Sequence, residues 1–150
     1  MRKYKANITK KINASILDYG LFFVCFVAYL IFFGDHTEEG KYAISGSGVL
    51  PVFIFWLLYF VVAEGMYGAT LGHQSFNLKV VTLHGEKIGF TQAVKRRFFD
   101  PIDFFCFGFI AFLLVKNSEK HQRAGDAFAK TLVIDITDPE QNLGPIRPFN

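Results

Sequence analysis

The run from Ala14 to Phe33 holds a single charged side chain, Asp18, and this combination constrains the chain more than any other feature. A helix rises about 1.5 Å per residue, so about 20 apolar residues cross a hydrocarbon core of about 30 Å. The run therefore predicts a first transmembrane helix over Ala14 to Phe33, ended by Gly34. An acid inside such a helix is costly, and by default it marks a functional site that requires a partner. Lys11 is the nearest candidate. Seven residues advance a helix by about 700°, so Lys11 and Asp18 share a face roughly 10 Å apart along the axis. That is too far for contact unless the lysine stem curls upward instead of snorkelling toward the headgroups.

The rest of the composition agrees with a membrane chain. Of 150 residues, 51% are hydrophobic and 19 are Phe, with a mean hydropathy of +0.28, which is too apolar for an ordinary soluble domain of this length. One membrane domain over residues 1–136 is expected, followed by a polar tail over 137–150 with Pro139, Pro145 and Pro148, expected to be loosely ordered. The N-terminal arm carries Arg2, Lys3, Lys5, Lys10 and Lys11 with no acid, whereas the segment after the first apolar run carries Asp35, Glu38 and Glu39 against Lys41. By the positive-inside rule the N-terminus is cytoplasmic. The basic-then-apolar start has the outline of a secretory signal, but the long apolar run without a small-residue exit reads as a retained helix. Cys25 and Cys106 lie in apolar runs with no Cys or His at ligand spacing, so neither structural zinc nor a disulfide framework is expected. No metal or cofactor is predicted.

Val49 to Tyr67 predicts the second span, with Pro51 in its first turn and Trp56, Tyr59 and Tyr67 as amphipathic aromatics. Glu64, near its inner end, is open to two readings: an interfacial acid that reaches water, or a second carboxylate facing the same interior as Asp18. The connection from Asp35 to Gly48 is polar and Gly-rich, an irregular loop in which His36 is solvated. Asn77 to Leu83 alternates and is β-branched, and His84-Gly85-Glu86-Lys87 offers turn chemistry, so a hairpin is predicted. Thr91 can cap a helix over Gln92 to Phe99 whose Lys95, Arg96 and Arg97 oppose Val94, Phe98 and Phe99, suiting the inner membrane surface. The same basic cluster, flanked by phenylalanines, makes a poor nucleic-acid groove.

Phe98 to Val115 is the third apolar segment. Asp100 would cap a helix starting at Pro101, with Asp103 at its third position. From Pro101 to Val115 such a helix is only about 22 Å long, short for a span. Lys116, Lys120 and Arg123 follow, and Thr131 to Ile136 is a strand-like run able to pair with Leu78 to Leu83. Such pairing requires both on one side of the membrane. The expected fold is an α-helical membrane protein with two transmembrane helices, a short or re-entrant third hydrophobic segment, and a small cytoplasmic β-hairpin or strand element.

Two motifs add a resemblance. Gly68-Ala69-Thr70-Leu71-Gly72 followed by Leu78-Lys79-Val80-Val81, and Gln122-Arg123-Ala124-Gly125-Asp126-Ala127-Phe128-Ala129-Lys130-Thr131, resemble elements of the RDD family of small bacterial membrane proteins. The likeness covers about Lys11 to Ile134 and marks Gly68, Thr70 and Gly72 as a structural turn. Where the family carries an arginine at the foot of the first helix, this chain has Lys11, which keeps the charge and loses the planar fork that grips a carboxylate. His73 stands where the family has a lysine. Ala93, Arg96 and Asp103 are similar to the family's approach to the third segment and echo the Lys11 to Asp18 spacing. The resemblance implies a bacterial inner-membrane location and a role in transport, with the ligand undefined.

The candidate site is thus a charge cluster of Lys11, Asp18, Glu64, Arg96, Asp103, Arg123 and Asp126, in which Arg96 or Arg123 reaches Asp18 and Asp103 meets Lys11. Two functions suit it. Paired charges and Phe-rich faces suit a non-catalytic accessory or scaffold subunit, held in the bilayer as a homo-oligomer or with a larger membrane-protein partner. Alternatively, Asp18, Glu64 and Asp103 suit Na⁺- or H⁺-coupled transport. No nucleophile with a neighbouring base, metal-ligand spacing or phosphate loop points to an enzyme.

Overall fold

The structure, a computed structural model, describes residues 5–36, 40, 42–100 and 109–141. The first helix, α1, spans Ile8–Phe33 and so begins well before Ala14. Its basic foot is helical because both lysines find partners in the fold. Lys10 pairs with Asp135, and the Lys11 ammonium donates to the His121 carbonyl at 2.9 Å. Within α1 only Ala14 and Asp18 are buried. Residues four apart lie on one face, so the protein-facing seam is narrow and most of the helix is apolar surface.

The chain then forms a minimal antiparallel pair, β1 (Asp35–His36) with β2 (Tyr42–Ala43), where an irregular loop was expected. His36 packs its ring on Tyr42, with centroids 4.4 Å apart. The second span runs Gly46–Tyr67 through a 3₁₀ turn (Gly46–Gly48), α2 (Val49–Leu57), a wide π turn (Leu58–Val62) and α3 (Ala63–Tyr67). Both spans are long and apolar enough to cross a membrane. They run antiparallel: Tyr29 donates to the Gly48 carbonyl at 3.0 Å near one end, and Tyr19 meets Phe60 with ring centroids 5.0 Å apart near the other.

At Gly68 the backbone turns left-handed (φ 74°), which ends α3, and its N–H returns to the Glu64 carbonyl at 2.8 Å. A Cβ is disfavoured in this conformation, so glycine is suited to the position. Thr70 caps the short α4 (Leu71–Ser75), which packs across α1. The contact is close enough that a Cβ on Gly72 would lie 2.2 Å from the Ala14 carbonyl oxygen.

Strand β3 (Leu78–Thr82) pairs antiparallel with β4 (Thr131–Asp135), Leu78 opposite Asp135 and Thr82 opposite Thr131, as the alternation predicts. The expected hairpin through residues 84–87 is only a turn. After it, Val81 and Lys87 make a single bridge, and Ile88 drops into the core instead of extending a strand. One face of the sheet joins Ala14, Val61, Leu78, Val80, Ile88, Ala93 and Val133; the other gathers Val81, Leu132 and Ile134.

Helix α5 covers Phe90–Arg97 and starts from Gly89, not Thr91, because the Gln92 side chain accepts from the Gly89 N–H at 3.1 Å. Its basic face does not point to water as an interfacial helix requires. Arg96 and Arg97 are buried, while Phe90, Val94 and Phe98 are exposed. The guanidiniums turn inward because three carboxylates await them there. Helix α6 (Phe109–Asn117) and α7 (Ala124–Ala129) lead into β4. The start of the third segment, with Pro101, Asp103 and Cys106, lies outside the described residues. The tail folds back as far as Gln141, which is buried: its side-chain oxygen accepts from Asn7 at 2.9 Å and from the Asp135 N–H at 3.2 Å. The loose tail expected from residue 137 is therefore ordered over its first residues.

Candidate functional site

Two buried polar nodes sit where the first span, the C-terminal end of the second span, α4, α5 and α7 meet. The larger is an ion-pair network. Arg96 donates from Nε to Glu64 Oε2 at 3.1 Å, pairs through Nη1 with Asp126, and reaches Thr131 Oγ1 at 3.3 Å. Arg97 pairs through Nη2 with Glu64 Oε1 and donates through Nη1 to Asp100 Oδ2 at 3.0 Å. Its guanidinium lies 4.5 Å from the centroid of the Phe60 ring. Tyr19 donates to Asp100 Oδ2 at 3.1 Å, and Arg123 Nε lies 3.8 Å from Asp126 Oδ2. Among the described residues, three guanidiniums thus face three carboxylates, and all but Arg123 are buried.

The local sequence explains the delivery of each group. Arg96 and Arg97 are consecutive on α5, so they diverge by about 100° and straddle Glu64, one on each carboxylate oxygen. Asp126 occupies the third position of α7 and its second oxygen accepts from the Arg123 N–H at 3.1 Å, closing the helix start while its first oxygen holds Arg96. Gly125 is required by the approach of α7 to α5, since a Cβ there would lie 2.3 Å from the Arg96 carbonyl oxygen. Burial pushes the Asp126 carboxyl up, but Arg96, Arg123 and Lys11 outweigh it and hold the group below its ordinary value. Among the described residues, Arg96 Nη2, Arg97 Nε and Asp100 Oδ1 are buried without a hydrogen-bond partner.

The smaller node surrounds Asp18. Its Oδ1 accepts from the Tyr59 hydroxyl and the Gly72 N–H, each at 2.7 Å, and its Oδ2 from the Thr70 hydroxyl at 2.5 Å. Because the Thr70 proton is committed to Asp18, the His73 Nδ1, 2.8 Å from Thr70 Oγ1, must be the donor in that contact. This assigns the Nδ1–H tautomer to neutral His73. Burial lowers the His73 pKa, against the opposing pull of Asp18 and Glu64. The motif Gly68-Ala69-Thr70-Leu71-Gly72 is therefore a receptor for Asp18: a left-handed turn, a cap hydroxyl and a glycine N–H presented at close range.

The structure reorganises the predicted cluster. It joins Glu64, Arg96, Arg123 and Asp126 and turns Glu64 inward instead of toward water. The expected cross-pairing of Asp18 with Arg96 or Arg123 does not form, because Glu64 and Asp126 take those guanidiniums and Asp18 is satisfied by three neutral donors. Lys11 caps a carbonyl, and Asp103 lies outside the described residues. Sequence reasoning missed Tyr19, Tyr59, Arg97, Asp100 and Thr131 as members of these nodes. Only Arg97 with Asp100 carried a readable signal, an acid three residues after a base. Among the described residues, no three His, Cys, Asp or Glu side chains converge as metal ligands.

No curated protein and no solved structure matches this chain. A family model does: the two short motifs that build the Asp18 receptor and the Arg123 to Asp126 helix start fall within its match to residues 5–130, and the chain belongs to the RDD family.

Proposed function

We propose that the chain is a non-catalytic accessory or scaffold subunit of a larger complex in the bacterial cytoplasmic membrane, with its N-terminus in the cytoplasm. The observation that carries this reading is the saturation of three buried acids. Glu64 is gripped by two arginines, Asp126 by Arg96 with Arg123 close by, and Asp18 by three donors. Such pairing fixes helices in register and engages both oxygens of each of these three carboxylates, and breaking it leaves uncompensated buried charge. Outside the seam the spans offer wide apolar faces, including Phe23, Phe32, Phe33 and Phe53. These suit packing against a larger membrane protein.

The same reading takes the third hydrophobic segment as re-entrant. Strand β3 follows the second span and β4 follows the third segment, and strands of one sheet lie on one side of a bilayer. Affinity purification in mild detergent with native mass spectrometry tests the proposal. A stoichiometric larger membrane protein should accompany the chain and be lost when Phe23 and Phe53 are changed to Ala. Recovery of the chain alone refutes it.

A second reading, Na⁺- or H⁺-coupled transport, is favoured by one observation: Asp18 sits within a span with no guanidinium, beside the neutral imidazole of His73. Flux into proteoliposomes containing only this chain, abolished by Asp18→Asn with the fold retained, supports it. Absence of flux under both sodium and proton gradients counts against it.

A further inference from the structure

We infer that α5, despite its Lys-Arg-Arg sequence, is embedded in the bilayer, with Phe90, Val94 and Phe98 in contact with lipid acyl chains. The three lie four residues apart and form one outward stripe, bordered by Thr91 and Lys95, while Ala93, Arg96 and Arg97 face the protein. The apolar stripe meets lipid as in an interfacial helix, but the opposite face, which would ordinarily point its charges to water, packs its arginines into the protein.

The depth of the helix identifies what covers the stripe. Arg97 packs its guanidinium on Phe60 and also reaches Tyr19 and Glu64, all three residues of the two spans. Phe60 lies seven residues before the end of the second span at Tyr67, hence about 10 Å inward along the axis. The neighbouring Phe98, 75% exposed, therefore projects outward at a level occupied by hydrocarbon. At the other end of α5, Phe90 lies against the second span so closely that a Cβ on Gly65 would be 2.6 Å from its ring. The stripe is thus continuous with the apolar flank of the second span, next to exposed Met66 and Tyr67. At this depth a charge on the outer face is costly. The inward turn of Arg96 and Arg97 removes that cost, and Lys95, at the border, is long enough to snorkel to headgroups. The inference does not depend on the subunit reading.

The chain has one tryptophan, Trp56, so a Trp56→Phe background makes a clean test. Phe98→Trp and, separately, Val94→Trp are placed in this background. The full chain is reconstituted in phosphatidylcholine vesicles with or without bromine on the upper acyl carbons, and Glu140→Trp serves as the water-facing control. We expect brominated lipid to cut emission from positions 98 and 94 at least twofold, with little quenching by aqueous iodide. Iodide quenching equal to that of the control, without bromine quenching, overturns the inference in favour of a water-facing helix. Protection from both quenchers also overturns it, since a second copy of the chain would then cover the stripe.

Discussion

Changing Glu64 to glutamine removes the carboxylate on which two arginines converge. The side chain is fully buried, with Arg96 Nε on one oxygen and Arg97 Nη2 on the other. Glutamine keeps one oxygen and replaces the second with an NH₂, so in either orientation one guanidinium meets a donor in place of an acceptor. Asp126 still balances Arg96 and Asp100 still balances Arg97, but the cluster gains one net positive charge in a site closed to water. Removing one partner of a buried ion pair costs about 3–5 kcal/mol. For a chain of this size, each kcal/mol moves the midpoint by about 2–4 °C, so the variant should melt roughly 6–20 °C lower. Thermal unfolding in detergent, followed by Trp56 fluorescence, measures this directly. The double variant with Arg97→Gln restores charge balance and should lose less than the two single losses added together, because the side chains are in direct contact. A Glu64→Gln midpoint within about 2 °C of the parent, equivalent to less than about 1 kcal/mol, would refute the claim that these charges lock the helices.

Glycine substitutions should act with opposite signs. Gly125→Ala forces a Cβ to 2.3 Å from the Arg96 carbonyl oxygen and should cost about 1–3 kcal/mol as α5 and α7 separate, lowering the melting midpoint. Gly20→Ala meets nothing within 4 Å on α1 and should be neutral or stabilise by up to about 1 kcal/mol in the same assay. His73 predicts a pH dependence. Its folded-state pKa is depressed by burial, so its contribution to stability is complete above the ordinary imidazole value of about 6.5 and is lost as pH falls toward the lower folded value. Melting curves between about pH 7.5 and 5, the range over which imidazole titrates, should show this decline, and His73→Gln should flatten that part of the profile.

Much of this architecture is local information and therefore legible along the chain. Hydropathy locates both spans, because about 20 consecutive apolar residues have no cheaper environment than a bilayer. Alternation in Leu78 to Thr82 and Thr131 to Asp135 locates two strands that do pair, whereas the helix starts at Thr70 and Asp126 are not read from the sequence. The sequence also names most members of the charge cluster.

Tertiary structure alone decided which charge meets which. A search for the Asp18 partner along its own helix finds Lys11, yet its donors come from Tyr59, Thr70 and Gly72 on other segments. Arg96 and Arg97, read on an isolated helix, define a water-facing side. In the fold that side faces Glu64, Asp100 and Asp126, so the helix turns its rings outward. The physical reason is the short reach of ion pairs and hydrogen bonds set against the long sequence separation of their partners. Composition dictates that buried charge must be neutralised, but only the packing of α4, α5 and α7 against the two spans determines by whom.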